Sequence, residues 1–492
     1  MRVKSANLLF ILGESHAPNL VGALGNPHIH TPNLDRLATR GTVFDSAYCA
    51  SPLCVPARAA IATGRFPHQT GYWDSSLAYD GRVNSWMKRL RDAGYRTAGF
   101  GKMHFRRDED DYGYTDFVET MHIADGIGDL VSALRHEGTE PAYPGLWDLW
   151  TRQYGAGDTD PYRQYDERII EGAIDWLEAH GTHRDEPWSL SVHSIAAHAP
   201  FVVPQPYLDL YDPATLPRPA RFSPDQRPRH PSIEHLRRIV THEYDCSLEQ
   251  VQQIRAAYYA TVSYLDALIG RLLDRLDQLG LSESTRVVYT SDHGFSCGDH
   301  YIFGLFHLLE ESLGVPLIMA GPDVPQGRCL STPVSHVDLY PTLLECAGVT
   351  ARRDESDLYG ESLWSLLGDS TNRKPVVAEY HGTGTASAGY VVREHDWKLI
   401  YFVGLPPQLY DLAADPLETK NLANDRPEKL AQLEGVLRAW LNPEQEDARA
   451  RQDQRKLIEM HGGKQKVLET MAGFSYSPPP GFSWKEMAPM ES

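Results

Sequence analysis

Short unbroken apolar runs alternate along the chain with stretches whose apolar residues recur at helical spacing. Residues 7–12 form the first run, which stops at Gly13 and predicts a buried strand. In the next segment Thr31 stands as a helix N-cap and Pro32 at the first helical position, and the helix closes at Gly41. TVFDSAY then reads as a strand. PARAAIAT, residues 56–63, suits a helix with Pro56 in its first turn and Gly64 beyond its end. WMKRLRDAG and YRTAGFG repeat the helix and strand pair. VQQIRAAYYATVSYLDALIGRLLDRLDQLG is a long amphipathic helix, TRVVYTSDHG a strand running into a loop, and VPLIMAGP a further apolar strand. This alternation predicts an α/β fold: a large, mostly parallel sheet sandwiched by helices.

Other stretches lack a period. Residues 105–165 are rich in Asp, Gly and Tyr and read as insertion loops, and residues 204–231 are Pro- and Arg-rich loop. After about residue 370 the texture becomes that of short antiparallel strands (VVAEYHG, GYVVREHDWKLIYFV, QLYDLAADP) followed by the helix RPEKLAQLEGVLRAWL. The division expected is a catalytic α/β domain over 1–368, a smaller antiparallel sheet-plus-helix subdomain over 369–445, and an extended tail over 446–492. The tail ends in SYSPPPGFSW, which is not regular structure.

Composition narrows the functional classes. Of 492 residues, 41% are apolar, enough for a large core. A mean hydropathy of -0.42, and the lack of any run approaching a membrane span, exclude an integral membrane protein. The net charge of -19 disfavours nucleic acid and, taken alone, any small anion. The 21 histidines would offset that charge if all were protonated. Six scattered cysteines (Cys49, Cys54, Cys246, Cys297, Cys329, Cys346) include no C-x-x-C pair, which excludes a disulfide scaffold or zinc finger and suits a reducing compartment. The apolar run before Glu14 is too short for a secretory leader. The expectation is a cytoplasmic protein with neither nucleic acid nor membrane as partner.

The strongest local signal is Cys54-Val55-Pro56-Ala57-Arg58 followed by AAIATGRFPHQTG. A cysteine just ahead of a helix started by proline sits among unpaired N–H groups, which favour anions and lower a thiol pKa. On spacing alone a buried, inert cysteine beside a surface arginine fits equally well. Asp292 and His293 stand at the end of a strand, where α/β sites gather. Lys102 and His104, two apart in GKMH, point to one side of an extended segment.

The C-x-P-x-R motif with its A-x-x-x-T-G-R continuation resembles the sulfatase family of the alkaline-phosphatase-like superfamily. Further matching blocks, in order, are NPHIHTPNLDRLATRGTVFDSAYCASPLC, GYRTAGFGKMHF, AAHAPFVVP, TSDHG, EESLGVPLIMAGP, HVDLYPTLL and LYDLAADPLETKNLA. GKMHF and FDSAYCASPLC look most like the choline-sulfatase branch. The resemblance implies that Cys54 is converted to Cα-formylglycine by a maturation enzyme. One hydroxyl of its hydrate would attack sulfur, and the other would expel sulfate from a covalent sulfated intermediate. It implies one divalent metal, Ca²⁺ first and Mn²⁺ or Zn²⁺ as alternatives, held by Glu14, residue 54, Asp292 and His293. Arg58 would hold the hydrate, Lys102 and His104 would contact sulfate, and His198 would lie near the leaving-group oxygen. Tails that cross between subunits in relatives imply a homodimer or homotetramer.

This sequence departs from the family in two places. Where relatives carry Asp-Asp or Asp-Gln it has Glu14-Ser15, with His16 the neighbour expected to compensate. Where relatives carry a sulfate-contacting lysine it has Leu305, with His300 and His307 as the available donors. Trp147, Trp150 and Tyr154, read as loop residues, suit either an aromatic cage for a quaternary ammonium or a hydrophobic cover. Three functions stay open: a formylglycine sulfatase acting on a sulfate monoester, a phosphonate monoester or phosphodiester hydrolase with the same nucleophile, and a non-catalytic metal-binding relative.

Overall fold

The computed structural model, which describes residues 6–135, 144–157, 160–183, 185–241, 246–350, 352, 355–368, 373–471 and 477–482, places eight strands side by side in one sheet. They are β1 (Asn7–Gly13), β2 (Gly41–Tyr48), β3 (Arg96–Lys102), β4 (Asp116–Met121), β5 (Trp188–His193), β6 (Thr285–Ser291), β7 (Gly314–Ala320) and β8 (Arg328–Leu330). Their spatial order is β8-β2-β7-β6-β1-β5-β3-β4, and Val334–Ser335 adds a short strand against β2. β1 lies between β5 and β6 in parallel register, with Leu9 opposite Leu190 on one side and Val287 on the other. β3 is parallel to β4 and β5, and β8 to β2, whereas β7 runs antiparallel to both its neighbours. The sheet is therefore mostly parallel, as the alternation predicts.

Helices cover the sheet: α1 (Pro32–Thr39), α2 (Cys54–Thr63), α3 (Trp86–Asp92), α4 (Pro144–Thr151), α5 (Pro161–Trp176) and α6 (Leu248–Gln278). Thr31 does not cap α1 through its side chain; its hydroxyl accepts from the Gly22 amide at 2.9 Å instead. Every residue of α2 is buried, and its four alanines allow close approach on all sides. α6 starts from a Ser247–Gln250 capping box and packs on α1 and α5.

The C-terminal unit is an antiparallel sheet of β9 (Val376–Tyr380), β10 (Gly389–Glu394), β11 (Trp397–Phe402) and β12 (Gln408–Asp411). The helix α7 (Pro427–Trp440) buries Leu433 and Leu437 in the same apolar cluster as Val392, Leu399 and Leu409 of that sheet. Among the described residues no helix is long and apolar enough to cross a membrane.

Two expectations are corrected. Residues 105–165 contain β4, α4 and the strand Tyr154–Ala156, so Trp147 and Trp150 stand on a helix, each 2% exposed, rather than in a loop. An eight-residue helix is too short to show its period. Residues 141–143, which precede α4, lie outside the described residues. Residues 446–492, expected as an extended tail, belong in part to the helix α8 (Pro443–Met460) and to a following helix, Gly463–Met471. Asn442 caps α8 by accepting from the Gln445 amide. Its buried line, Ala450, Gln454 and Ile458, is carried by only two apolar residues, so no hydrophobic stripe marks it in the sequence.

Candidate active site

The adjacent parallel strands β6, β1, β5 and β3 end on one edge of the sheet. The residues at or just beyond those ends are Asp292-His293, Glu14, His193 and Lys102. α2 brings Cys54 and, one turn later, Arg58 to the same place. Cys54 Sγ lies 3.1 Å from Glu14 Oε1 and 3.2 Å from His293 Nε2. Arg58 Nε donates to Asp292 Oδ2 at 2.9 Å, and another guanidinium nitrogen stands 3.6 Å from Glu14 Oε2. Arg58 also donates to the Lys102 carbonyl, and Lys102 Nζ to Glu14 Oε1. Gly101, at φ 95°, is required for this approach: a Cβ there would lie 2.0 Å from the His193 carbonyl oxygen.

Glu14, residue 54, Asp292 and His293 each offer a ligand atom, and these atoms all lie within 4.8 Å of one another. The His293 Nδ1 donates to the Gly294 carbonyl at 2.8 Å, which leaves the Nε2 lone pair facing the cluster. Glu14 Oε2 is buried without a hydrogen-bond partner. Two carboxylates, one imidazole nitrogen and position 54 fit a divalent cation. Ser15 joins the cluster through its backbone amide, 3.3 Å from Asp292 Oδ1; its hydroxyl is buried and unpartnered. His16 does not compensate, because the protein uses both ring nitrogens: Tyr289 O–H at 2.6 Å and the Leu20 carbonyl at 2.8 Å.

Burial is the largest influence throughout. It raises the Glu14 carboxyl, but Lys102, His198 and Arg58 outweigh it and hold that carboxyl well below the ordinary range. Burial and the Glu14 charge push the Cys54 thiol well above its usual value. Burial lowers His104, and brings His198 down to about 4 against the pull of Glu14.

A cavity of about 110 Å³ opens on this cluster. Cys54, Lys102, His104 and His198 line it, together with Leu146, Trp150, Leu305 and Phe306. Both ring nitrogens of His104 are shielded and unpartnered, and His198 Nε2 is 3.9 Å from Glu14 Oε1. His300 and His307 do not line the cavity, although Leu305 does. They are buried elsewhere, with Asp299 and Lys398 among the charges acting on them. Trp150 contributes one wall, but Trp147 packs edge-on against Phe303 and Tyr154 donates to Gln253, so the three do not form a cage.

Two supporting residues escaped the sequence reading. His193 ends β5, with Nδ1 3.4 Å from Arg58, and burial and that arginine hold it well below its usual pKa. Asp166 on α5 accepts from the Ile195 and Ala196 amides at 2.7 and 3.1 Å, fixing the segment that presents His198. Burial raises its carboxyl to about 6. The signal available in the sequence was a charged residue on the buried face of an amphipathic helix.

The family model described as Sulfatase matches residues 6–349, and one described as N-sulphoglucosamine sulphohydrolase, C-terminal, matches residues 298–447. Choline-sulfatase of Rhizobium meliloti (strain 1021) is 31% identical over 441 residues, covering 86% of this chain and 84% of its own. Arylsulfatase K of Danio rerio is 29% identical over 461 residues, covering 88% and 83%. A protein solved in complex with its substrate D-glucosamine-2-N,6-O-disulfate superposes with a TM-score of 0.72 at 25% identity, over 89% of this chain and 97% of its own. The phosphonate monoester hydrolase of Agrobacterium radiobacter shares the fold, with a TM-score of 0.71 at 23% identity over 88% and 95%.

Proposed function

The chain belongs to the sulfatase family and is a sulfuric ester hydrolase, and from that premise we propose that it cleaves a sulfate monoester at a formylglycine formed from Cys54. The observation that carries the reading is the convergence of Cys54, Lys102, His104 and His198 on one cavity beside a four-donor cluster, which Arg58 braces through Asp292. As an aldehyde hydrate, residue 54 supplies an oxygen nucleophile for sulfur and a second hydroxyl to expel sulfate from the covalent sulfated intermediate. Lys102 and His104 face the sulfate oxygens. Arg58 stays locked between Asp292 and Glu14, one helical turn from residue 54. His198 bonds through Nδ1 to the Ala199 carbonyl, so Nε2 is the nitrogen that gives the leaving alcohol its proton. A dianionic transition state in the cavity raises its low pKa toward that task. With Leu305 in the lysine's place, Lys102 supplies the one ammonium among the described residues that line the cavity.

Glu14, Asp292, His293 and residue 54 would hold the divalent cation, which supplies Lewis-acid stabilisation of the sulfate charge when bound. The oxygen-rich set favours Ca²⁺, and the imidazole admits Mn²⁺ or Zn²⁺. Chelation is expected to abolish turnover and lower the Tm, with both restored by one of these ions. Unchanged Tm and activity in verified metal-free protein would refute this assignment.

The reading is tested by kcat/KM on matched aryl sulfate, phosphonate monoester and phosphodiester substrates, with mass spectrometry of the peptide bearing residue 54. The sulfate ester is expected to lead, on a converted residue 54. Phosphorus esters ahead by orders of magnitude would make the chain a phosphonate monoester or phosphodiester hydrolase with the same nucleophile. An unmodified thiol in fully active protein would remove formylglycine from either mechanism.

A further inference from the structure

The cavity that takes the sulfate at Cys54 is also bounded by Ser75, Gly128, Asp129 and Thr383. These come from three separate segments bonded to one another. The Asp129 amide donates to the Ser75 carbonyl at 2.9 Å, the Ser75 amide to Ser132 Oγ at 3.3 Å, and Ser132 Oγ lies 2.9 Å from Thr383 Oγ1. A Cβ on Gly128 would stand 1.9 Å from the Ser75 carbonyl oxygen, so only glycine permits the contact. Little regular structure fixes this wall from within: its longest element is the single 3-10 turn Leu130–Leu134.

α8 reaches every one of the three segments. Arg135, buried and left-handed at φ 31°, donates through Nε to Gln454 Oε1 at 2.8 Å and ion-pairs with Asp447. Gln454 turns its amide nitrogen to Asp74 Oδ2 at 2.6 Å and to the His381 carbonyl at 2.9 Å. Asp74 precedes Ser75, and His381 lies two residues before Thr383. Asp447 also accepts from the Ala388 amide and from Arg451 Nε, each at 2.9 Å. Beneath the polar contacts Leu130, Val131 and Ala133 pack with Ile458 of α8 and Val467 of the helix after it. Gln454 and Asp447 are almost wholly buried, so a lost contact leaves a polar partner unsatisfied in the interior.

We propose that Gln454 and Asp447 of α8 are positioning residues for the wall that receives the alcohol half of the substrate, and so govern ester recognition without touching it. This rests on the reading that the Cys54 end of the cavity takes the sulfate. The test measures KM and kcat for an aryl sulfate, and the inhibition constant of inorganic sulfate, in Gln454→Met, Gln454→Ala, Asp447→Ala and the conservative Asp447→Glu. KM is expected to rise about tenfold, the effect of one buried hydrogen bond, while kcat and the sulfate inhibition constant stay within about threefold. Asp447→Glu should recover part of the loss. An unchanged KM in a folded variant overturns the proposal. So does a parallel rise in the sulfate inhibition constant, which would mean general loosening. Gln454→Met keeps the side-chain length and decides the matter if Gln454→Ala does not fold; a chain that folds with neither has a structural glutamine only. A parent enzyme inactive on every sulfate ester would instead overturn the substrate reading beneath the proposal.

Discussion

Replacing Cys54 with alanine is expected to abolish sulfate-ester hydrolysis, a fall of roughly 10⁶-fold in kcat, as when a hydrolase loses its nucleophile. The fold and the metal content should survive. The substitution removes one sulfur from the first turn of α2, and alanine is already the commonest residue in that helix. Glu14, Asp292 and His293 remain as donors. Burial and the Glu14 charge push the Cys54 thiol well above its usual value, whereas reactive thiols sit where the pKa is depressed. The measurement is kcat with circular dichroism and metal analysis on one preparation. Turnover within tenfold of the parent would refute the assigned nucleophile.

Replacing His198 with alanine should produce a loss that depends on the leaving group. For an alkyl sulfate, whose alcohol must be protonated as it departs, kcat is expected to fall by about 10² to 10⁴. For 4-nitrophenyl sulfate, whose phenolate leaves unprotonated, the loss should be far smaller. A plot of log kcat against leaving-group pKa should therefore steepen in the variant. An equal loss across the series would move the acid role elsewhere, and His104 is the other imidazole lining the cavity. His300 and His307 are not candidates, since neither lines it.

How far the sequence disclosed this arrangement varies with the kind of signal. The strands were legible because β1 and β7 are continuous apolar runs and β6 carries Val287-Val288-Tyr289, all three buried on both faces. The same property hid the reversal of β7, because a strand covered on both sides reads alike in either direction. The residues converging on the cavity were legible through their motifs. The fates of His16, His300 and His307 were not, because a histidine's neighbours in sequence do not reveal which hydrogen-bond partners meet its ring. Asp166 and His193 act through other residues, with no spacing of their own to mark them. α8 stayed hidden for a thermodynamic reason: its docking relies on Arg135, Asp447 and Gln454 as much as on apolar area, and polar docking leaves no hydrophobic stripe.

The central place of β1 has a consequence for biosynthesis. β1 pairs with β5 and β6, whose residues are polymerised some 180 and 280 positions later. At about 5–20 residues per second, the N-terminal strand waits on the order of tens of seconds for its second neighbour to be made. Throughout that interval the segment around residue 54 has no closed sheet to enclose it. α2 stays open after β6 docks, because the later segments His336–Asp338 and Leu339–Cys346 also pack on it. The ribosome's pace thus sets a window in which the modifying enzyme proposed above would reach Cys54 in an extended chain, and that window outlasts the synthesis of Asp292 and His293, since residues that cover α2 come after them.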